Sequence, residues 1–299
     1  MINVLRELAE NRISNAKQAA VAVCKLDDSK KNAAEMRRLI NIFENRSENF
    51  IEVPLRLKGL LEVTNLNAGS YKPNRYFLDK SREELISQIE NSVKVSGRLA
   101  ELGIPYLNST LLSGEPGTGK TEFAKAAAYR LGIPFAYVNF SNLIDSYLGK
   151  TSQNISQIFD YIKGERCLLL LDEIDCIGLR RNKDGGADGE LARTTIALMQ
   201  CLDTLIDGQI IIGATNRADR LDPALLRRFQ RRAVFEKYNE EDNRELIIGY
   251  LNDVGLDYDK NSVLEYVSGT AGEVTQAVIV QHLNDAIVSA VISGDAVKI

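Results

Sequence analysis

The amino-acid sequence predicts an α/β fold in which a parallel sheet is covered by helices on both faces and is followed by a smaller helical unit. From Leu107 onward, short apolar segments alternate with segments of helical periodicity, as in a parallel sheet with crossover helices. The run Leu168–Leu171 is typical of a strand buried on both faces. After Glu236 the strand pattern stops, and only helical periodicity continues to the end of the chain.

The composition is that of a globular protein. The chain has 299 residues, of which 44% are hydrophobic and 26% charged, which excludes a collagen-like or wholly disordered chain. The longest strongly apolar run, Cys167–Leu171, is too short to span a bilayer, and Arg6 and Glu7 interrupt the place of a secretory signal. The 4 cysteines form no CxxC pair, and the single histidine, His282, excludes a histidine-based metal cluster. We therefore expect a cytoplasmic protein with reduced thiols and no membrane span.

The N-terminal quarter of the chain is predicted to be mainly helical. Residues 1–50 place apolar side chains at helical spacing. The next segment, Phe50–Leu66, alternates apolar and polar positions and could contribute strands, and Asn67–Asn74 has the composition of a linker. Residues 1–75 carry an excess of basic side chains, although the whole chain has a net charge of -4. We interpret this region as a partner-binding or regulatory module, or equally as an appendage packed on the rest of the chain.

The remainder of the chain is divided into elements by its hydrophobic periodicity. The strand candidates are five short apolar segments: Thr110–Ser113, Phe135–Asn139, Cys167–Asp172, Gln209–Ala214 and Arg232–Phe235. Helices are expected before and between them: one capped by Asp79 that extends to Ala100, then Thr121–Leu131, Ser152–Lys163 and Glu190–Leu205. The C-terminal helices are expected around Glu240–Leu251, Ser262–Val267 and Val274–Val291. The glycine-rich, charged stretch Arg180–Gly189 is predicted to be disordered.

A phosphate-binding loop is the strongest motif in the sequence. Gly114–Thr121 matches the pattern G-x-x-x-x-G-K-[ST] and lies between a strand candidate and a helix candidate. In such a loop the backbone wraps phosphate at a helix N-terminus, Lys120 reaches the β and γ oxygens, and Thr121 ligates Mg²⁺. The expected nucleotide-binding residues are consecutive: Gly114, Glu115, Pro116, Gly117, Thr118, Gly119, Lys120 and Thr121. The negative charge of Glu115 is unusual there and would weaken ATP binding unless its side chain faces solvent.

Two acidic residues, Asp172 and Glu173, end a buried strand candidate downstream of this loop. Phosphoryl transfer depends on positioning and on neutralisation of charge. Asp172 would therefore hold the magnesium, and Glu173 would polarise the attacking water. Acids at a strand end are also common turn formers, but the phosphate loop upstream favours the catalytic interpretation. Asp175 is equally well explained as a helix cap or as a catalytic residue.

With these motifs the chain resembles the AAA+ ATPases, and two further segments narrow the resemblance to the AAA-proper branch. Ala214–Arg217 resembles that family's sensor 1, which implies that Asn216 helps to place the attacking water near the γ-phosphate. Leu221–Phe229 resembles its second region of homology, which implies that Arg227 and Arg228 project into the nucleotide site of the next subunit. A guanidinium supplied in this way neutralises charge in the transition state.

The resemblance covers about residues 75–299 and implies a complete architecture. It implies a P-loop NTPase domain of αβα type over residues 76–236 and a small helical lid over residues 237–299, with ATP and Mg²⁺ as cofactors. The lid segment Thr270–Val274 resembles the sensor-2 region without its arginine, as is common in AAA-proper members and not in clamp loaders or replication initiators. The sequence contains no HExxH zinc motif and no second phosphate loop.

An arginine-rich stretch follows the sensor-1 segment and has two interpretations. Its six members are Arg217, Arg220, Arg227, Arg228, Arg231 and Arg232. They could form a nucleic-acid patch or a solvated basic face, but their position favours arginine fingers. The commonest family form separates two arginines by a Pro-Gly pair that is absent here, which leaves the choice between Arg227 and Arg228 open. The Arg-Phe pair favours Arg228.

A segment that precedes one of the helix candidates resembles pore loop 1 of the protein-threading AAA machines. It contains Tyr147, Leu148 and Gly149, and in that family an aromatic-aliphatic-glycine step projects into a central channel. An aromatic ring grips a polypeptide by burying area without needing a particular sequence, and a glycine lets the loop flex. The alternative is that Tyr147 and Leu148 cap the hydrophobic core.

These motifs imply a ring-forming ATPase, expected to be a homo-hexamer, that remodels or threads an unidentified protein substrate or adaptor. The alternative is a nucleic-acid-directed AAA+ ATPase that serves transposition, replication or phage defence. A third interpretation, a scaffold that binds ATP with little turnover, is disfavoured because Asp172 and Glu173 are both present.

Overall fold

The computed structural model describes residues 22–23, 53–67, 69, 71–104, 106–146, 150–163, 165–177, 188–205 and 209–299. Almost all of the helical pattern predicted for residues 1–50 lies outside the described residues, as does most of Arg180–Gly189. The pore-loop candidates Tyr147, Leu148 and Gly149 also lie outside them.

A six-stranded sheet forms the centre of the described part of the chain. Its strands are β1 (Glu62–Thr64), β2 (Asn108–Gly114), β3 (Phe135–Asn139), β4 (Leu168–Asp172), β5 (Ile210–Thr215) and β6 (Arg231–Phe235). They lie in the order β1-β3-β4-β5-β2-β6. All neighbouring pairs are parallel except β1 with β3, which is antiparallel. The predicted parallel sheet is confirmed, and each of its five predicted strands lies within two residues of its expected bounds.

Helices cover both faces of this sheet and form the C-terminal unit. Those in the first part are α1 (Lys80–Glu101), α2 (Lys120–Leu131), α3 (Phe140–Ser146), α4 (Thr151–Ile162), α5 (Asp188–Asp203) and the short α6 (Pro223–Leu226). The C-terminal helices are α7 (Glu240–Val254), α8 (Lys260–Thr270) and α9 (Gln276–Ser293). Asp79 caps α1 as predicted, because its side chain accepts a hydrogen bond from the backbone N–H of Arg82. None of the helices in the described ranges is long and apolar enough to cross a membrane.

The four leucines of β4 explain why this strand is apolar throughout. Successive side chains of a strand point to opposite faces of its sheet. Leu169 and Leu171 pack in the core on the face covered by α4 and α5, whereas Leu168 and Leu170 pack on the face covered by α1 and α2. All four are fully buried. The strand therefore carries both hydrophobic layers and holds its C-terminal acidic residues in a fixed place.

The segment before α1 packs more closely than its composition suggests. Leu57 and Leu61 are buried in the core beside α4 and β4, and β1 extends the sheet at its edge. Tyr71, in the expected linker, is buried with its ring centroid 5.2 Å from that of Tyr129. Leu57, Leu61 and Tyr71 therefore pack with the sheet, although they precede the expected boundary at residue 75. Their burial could not be predicted from the sequence, because the side chains that cover them lie far away along the chain.

Candidate functional site

The predicted motifs meet at the carboxyl end of the parallel sheet. β2, β4 and β5 are neighbours and point the same way, so the loops that follow them converge. A cleft of about 570 Å³ opens there. Its lining comes from the phosphate loop, the ends of β4 and β5, the segment before α1, and the C-terminal helices: Arg75, Tyr76, Pro116, Gly117, Gly119, Lys120, Thr121, Glu122, Asp172, Glu173, Asn216, Tyr238, Leu246, Tyr250, Gln276, Ala277 and Val280.

The phosphate loop needs glycine at two positions for different physical reasons. Gly119 has φ +87° and stands at the N-cap of α2, in a left-handed conformation that side chains disfavour. Gly117 has φ +82°, and a Cβ atom there would lie 2.7 Å from Thr275 Oγ1 at the start of α9. The phosphate loop and α9 can therefore approach closely only because this position carries no side chain. The backbone N–H of Ala277 donates to the carbonyl of Gly117 at 3.0 Å.

The Lys120 side chain is held by the loop it belongs to. Its Nζ donates to the carbonyl oxygens of Gly114 and Glu115 at 2.9 and 2.8 Å. Burial lowers the pKa of Lys120, and the negative charges of Asp172 and Asp175 oppose this shift. The ammonium therefore lies at the mouth of the loop beside two acids, where an anion could take the place of the two carbonyl groups.

Thr121 and Asp172 form the pair expected to hold a metal. The Thr121 hydroxyl donates to Asp172 Oδ2 at 3.0 Å, and the backbone N–H of Glu173 donates to Asp172 Oδ1 at 2.9 Å. Burial raises the pKa of Asp172, while these two hydrogen bonds act in the opposite direction. A hydroxyl and a carboxylate are hard oxygen ligands that suit Mg²⁺ bound together with water and phosphate. No group of three or more His, Cys, Asp or Glu side chains that could hold a metal occurs among the described residues.

Glu173 has a backbone conformation that is unusual for its residue type. Its φ is 55° and its ψ is 39°, and no other non-glycine residue described here has a positive φ. A left-handed residue with a side chain costs roughly 1–2 kcal/mol. Such strain often occurs at functional sites, and Glu173 lines the cleft.

Asp175 connects the end of β4 to the end of β5. Its Oδ1 accepts a hydrogen bond from the Thr215 hydroxyl at 2.7 Å and one from the backbone N–H of Asn216 at 3.3 Å. Asn216 lines the cleft together with Glu173. The position of Asn216 relative to Glu173 therefore depends on this carboxylate, and the interpretation of Asp175 as a simple helix cap does not describe its contacts.

Replacing Asp175 should reduce the rate of nucleotide hydrolysis more than it reduces the affinity for the nucleotide. We expect Asp175→Ala to lower kcat about ten-fold or more, because Asn216 would no longer be held beside Glu173. Asp175→Asn keeps an acceptor for both donors and should recover most of the activity. Steady-state hydrolysis with separate measurement of nucleotide affinity tests this. A loss of affinity equal to the loss of kcat, without recovery in the asparagine variant, would show that Asp175 acts only on folding.

The arginine-rich stretch does not form one continuous face. Arg228 Nη2 lies 2.7 Å from Asp203 Oδ2, and Arg228 Nη1 donates to the carbonyl of Ala224 at 2.8 Å. Arg231 is directed inward, where its Nη1 donates to the Tyr106 hydroxyl at 2.6 Å, and burial lowers its pKa. The Arg227 side chain is exposed and makes no hydrogen bond or ion pair with the described residues, although its backbone N–H donates to the carbonyl of Pro223. Neither Arg227 nor Arg228 lines the cleft of its own chain.

Three of the predicted phosphate-loop residues do not line the cleft: Gly114, Glu115 and Thr118. The Glu115 side chain is 66% exposed, and its Oε2 lies 3.3 Å from Lys237 Nζ. Its negative charge therefore faces solvent, which is one of the two alternatives expected for Glu115. Thr118 is buried, and its hydroxyl donates to the carbonyl of Glu115 at 2.8 Å.

The apolar end of the cleft was not predicted from the sequence. Leu246 and Tyr250 of α7 and Val280 of α9 line it. The Arg75 guanidinium lies 5.1 Å from the centroid of the Tyr250 ring, and its Nε lies 2.6 Å from Asp253 Oδ2. These side chains come from three separate segments, and no local pattern marks them. Aromatic residues within otherwise ordinary helical periodicity were the signal that could have indicated them.

Comparison with known proteins identifies related chains. Residues 110–237 match the model of the family described as "ATPase family associated with various cellular activities (AAA)". The chain is 38% identical over 165 residues to the ATP-dependent zinc metalloprotease FtsH of Bacillus subtilis, which covers 53% of this chain and 26% of that protein. It is 39% identical over 175 residues to the 26S proteasome subunit RPT4 of Saccharomyces cerevisiae, which covers 56% of this chain and 40% of that protein.

A longer match covers more of this chain but still less than a third of its relative. FtsH of Rhodothermus marinus is 33% identical over 216 residues, which is 70% of this chain and 31% of that protein. The chain therefore spans between about a quarter and two fifths of the length of these relatives. The similarity includes the phosphate loop, the acidic strand end and the arginine-rich stretch, which all lie within or at the edge of residues 110–237.

Proposed function

The chain is a member of the AAA family of ATPases, of the AAA-proper type, and we propose that it binds and hydrolyses ATP with Mg²⁺ in the cleft. The observation that carries this proposal is the hydrogen bond between Thr121 and Asp172. It joins the end of the phosphate loop to the end of β4, and Glu173 and Asn216 line the same cleft. The residues that we propose to bind phosphate, to hold Mg²⁺ and to act on the attacking water therefore lie around one cleft, which supports the proposal.

Each side chain has a distinct task in this proposal. Backbone N–H groups of the phosphate loop and the Lys120 ammonium would bind the phosphates, and the apolar end beside Leu246 and Tyr250 would hold the base. Thr121 and Asp172 would hold Mg²⁺, which neutralises charge that develops on the phosphates. Glu173 would accept a proton from the attacking water, and Asn216 would orient that water.

We further propose that the site is completed by a neighbouring subunit in a homo-oligomeric ring, hexameric by analogy with the family. Arg227 and Arg228 lie away from the cleft of their own chain, which supports action on another subunit. The Arg228 side chain is paired with Asp203, whereas the Arg227 side chain is exposed and has no ion-pair partner among the described residues. Although the Arg-Phe pattern favours Arg228, these contacts favour Arg227 as the arginine that reaches the neighbour.

Mixing two inactive variants tests the action between subunits. We expect Arg227→Ala to abolish most turnover while ATP binding persists, because transition-state charge would lack its guanidinium. Mixed with the Lys120→Ala protein, it should regain part of the activity, since an intact cleft then meets an intact arginine. The same measurements on Arg228→Ala show which of the two arginines acts on the neighbouring subunit. Absence of recovery at concentrations where the mixed subunits associate would contradict the proposed geometry.

The substrate that we propose is a polypeptide, moved by Tyr147, Leu148 and Gly149. Two relatives support a protein substrate by their names, a metalloprotease and a proteasome subunit. A nucleic-acid-directed ATPase is the second candidate, favoured by the exposed side chains of Arg217, Arg220, Arg227 and Arg232. The inward orientation of Arg231 and the pairing of Arg228 reduce the charge available to such a patch.

Trapping distinguishes these substrates. A tagged Glu173→Gln variant, purified from its host with ATP, should retain a polypeptide that is lost when Tyr147 is replaced by alanine. Retention of nuclease-sensitive DNA or RNA, with nucleic-acid stimulation of turnover that falls steeply with salt, would favour the second candidate instead.

A further inference from the structure

A buried arginine that does not line the cleft contacts the phosphate loop. Arg82, in the first turn of α1, is 2% exposed. Its Nη2 donates to the carbonyl oxygens of Thr118 at 3.3 Å and of Glu236 at 3.1 Å, and its Nη1 donates to Asp79. Thr118 belongs to the phosphate loop, and Glu236 follows β6 at the junction with the C-terminal helices. No sequence motif indicated this residue.

Aromatic rings fix the orientation of this guanidinium. Its central carbon lies 4.6 Å from the centroid of the Phe235 ring and 4.3 Å from that of the Tyr238 ring. Cation–π contacts of a desolvated arginine are stronger than those at an exposed surface, and the planar fork holds its hydrogen bonds in one geometry. The guanidinium is therefore a rigid donor pointed at the loop.

Tyr76, which lines the cleft, provides a second donor to the phosphate loop. Its hydroxyl donates to the carbonyl of Gly119 at 3.3 Å, and its ring lies against Gly119, where a Cβ atom would be 3.1 Å from the ring. Burial raises the pKa of Tyr76 well above its ordinary value, so the hydroxyl remains protonated and able to donate. Arg82 and Tyr76 thus contact the carbonyl groups of two consecutive residues of the loop.

In a trans peptide group, the carbonyl and the N–H that follows it point in opposite directions. When the carbonyls of Thr118 and Gly119 point to Arg82 and Tyr76, the N–H groups of Gly119 and Lys120 point the other way. Gly119 and Lys120 both line the cleft. We propose that Arg82 and Tyr76 are positioning residues that fix these two peptide groups so that their N–H groups face the phosphates of the bound nucleotide. This inference rests on the nucleotide-binding function proposed above.

The same guanidinium links the loop to the lid. The carbonyl of Glu236, which accepts from Arg82, also accepts from Gln276 Nε2 at 3.1 Å. Gln276 is the first residue of α9 and lines the cleft. The loop, the β6–α7 junction and the lid helix therefore share one buried set of hydrogen bonds. Arg82 contacts the phosphate loop but none of Leu246, Tyr250 and Val280, so we expect it to affect the affinity for the phosphates more than the affinity of the apolar end for the base.

Comparison of ADP with adenosine, each measured by titration calorimetry on the full chain, separates these effects. In Arg82→Met we expect ADP affinity to fall about ten-fold or more, because hydrogen bonds from a charged donor to the loop are lost. Adenosine affinity should change less than about two-fold, since adenosine carries no phosphate. Equal weakening of both ligands, or no weakening of ADP, would overturn the proposal.

Two further variants keep the test decisive if Arg82→Met fails to fold. Tyr76→Phe keeps the ring against Gly119 and removes the hydroxyl, and it should weaken ADP about three-fold or more with adenosine unchanged. Arg82→Lys keeps the charge beside Asp79 but lacks the planar fork, and it should also weaken ADP selectively. ADP affinity at the level of the unmodified chain in both variants would overturn the proposal.

Arg130→Met is the matched control. Arg130 also joins α1 to the domain, through Glu83 at 2.6 Å and Glu90 at 3.0 Å, but its side chain is 32% exposed and does not contact the phosphate loop. It should bind ADP like the unmodified chain, and a ten-fold loss in this control would show that any loosening of α1 weakens nucleotide binding. An unmodified chain that binds neither ADP nor ATP would instead contradict the proposed function itself.

Discussion

Replacement of Glu173 by glutamine should leave ATP binding intact and reduce steady-state hydrolysis about a hundred-fold or more. Glutamine keeps the size of the side chain and its place in the cleft, but it cannot accept the proton of the attacking water. The left-handed backbone at this position is equally costly for either residue, so the fold should not change. Phosphate release and fluorescent-nucleotide binding, measured on the same sample, check both parts of this expectation.

Glu241→Gln is the control for this variant. Glu241 lies on α7 with its side chain 80% exposed, so the same chemical change occurs away from the cleft. It should hydrolyse ATP at the rate of the unmodified chain. Unchanged hydrolysis in Glu173→Gln would remove Glu173 from the reaction and leave no assigned proton acceptor in the cleft.

Replacement of Lys120 by alanine should weaken ATP binding about a hundred-fold or more, and hydrolysis should be lost with it. The ammonium is the cation of the phosphate loop, and charge-assisted contacts with phosphate oxygens are among the strongest hydrogen bonds in proteins. The change also removes the bonds to the carbonyls of Gly114 and Glu115, so the loop loses its internal support. Equilibrium binding of a fluorescent ATP analogue measures the effect.

Lys125→Ala provides the comparison. Lys125 lies on the same helix, and its Nζ is 2.6 Å from Glu122 Oε1 in a partly exposed ion pair, which contributes little to stability. Its removal should change ATP affinity less than about two-fold. Tight ATP binding by Lys120→Ala would exclude Gly114–Thr121 as the principal phosphate site.

Local patterns were sufficient to predict the sheet and the phosphate side of the cleft. β4 was identifiable because four leucines that pack on two faces leave an uninterrupted apolar run. The loop was identifiable because its glycines, lysine and threonine must stand at fixed spacing to hold phosphate. Asp172 and Glu173 were identifiable because they end that strand directly.

Residues that act through distant contacts were not predictable in this way. Arg82 lies in an ordinary amphipathic helix, and only the fold brings it to Thr118 and Glu236. Tyr71 lies in a segment with the composition of a linker, but it is buried against the ring of Tyr129 in α2. The pairing of Arg228 with Asp203 joins residues 25 positions apart, and it leaves Arg227 as the one of these two arginines whose side chain is unpaired among the described residues. Such contacts have no periodicity or spacing that a sequence could reveal.

We propose that the cleft hydrolyses ATP only when another subunit completes it. Phosphate release per subunit should therefore be measured against protein concentration, with the oligomeric state determined by sedimentation at each point. If a neighbouring subunit completes the cleft, specific activity should be low in the monomer and should rise to a plateau as the ring assembles. A specific activity that stays constant down to concentrations at which only monomer is present would contradict it.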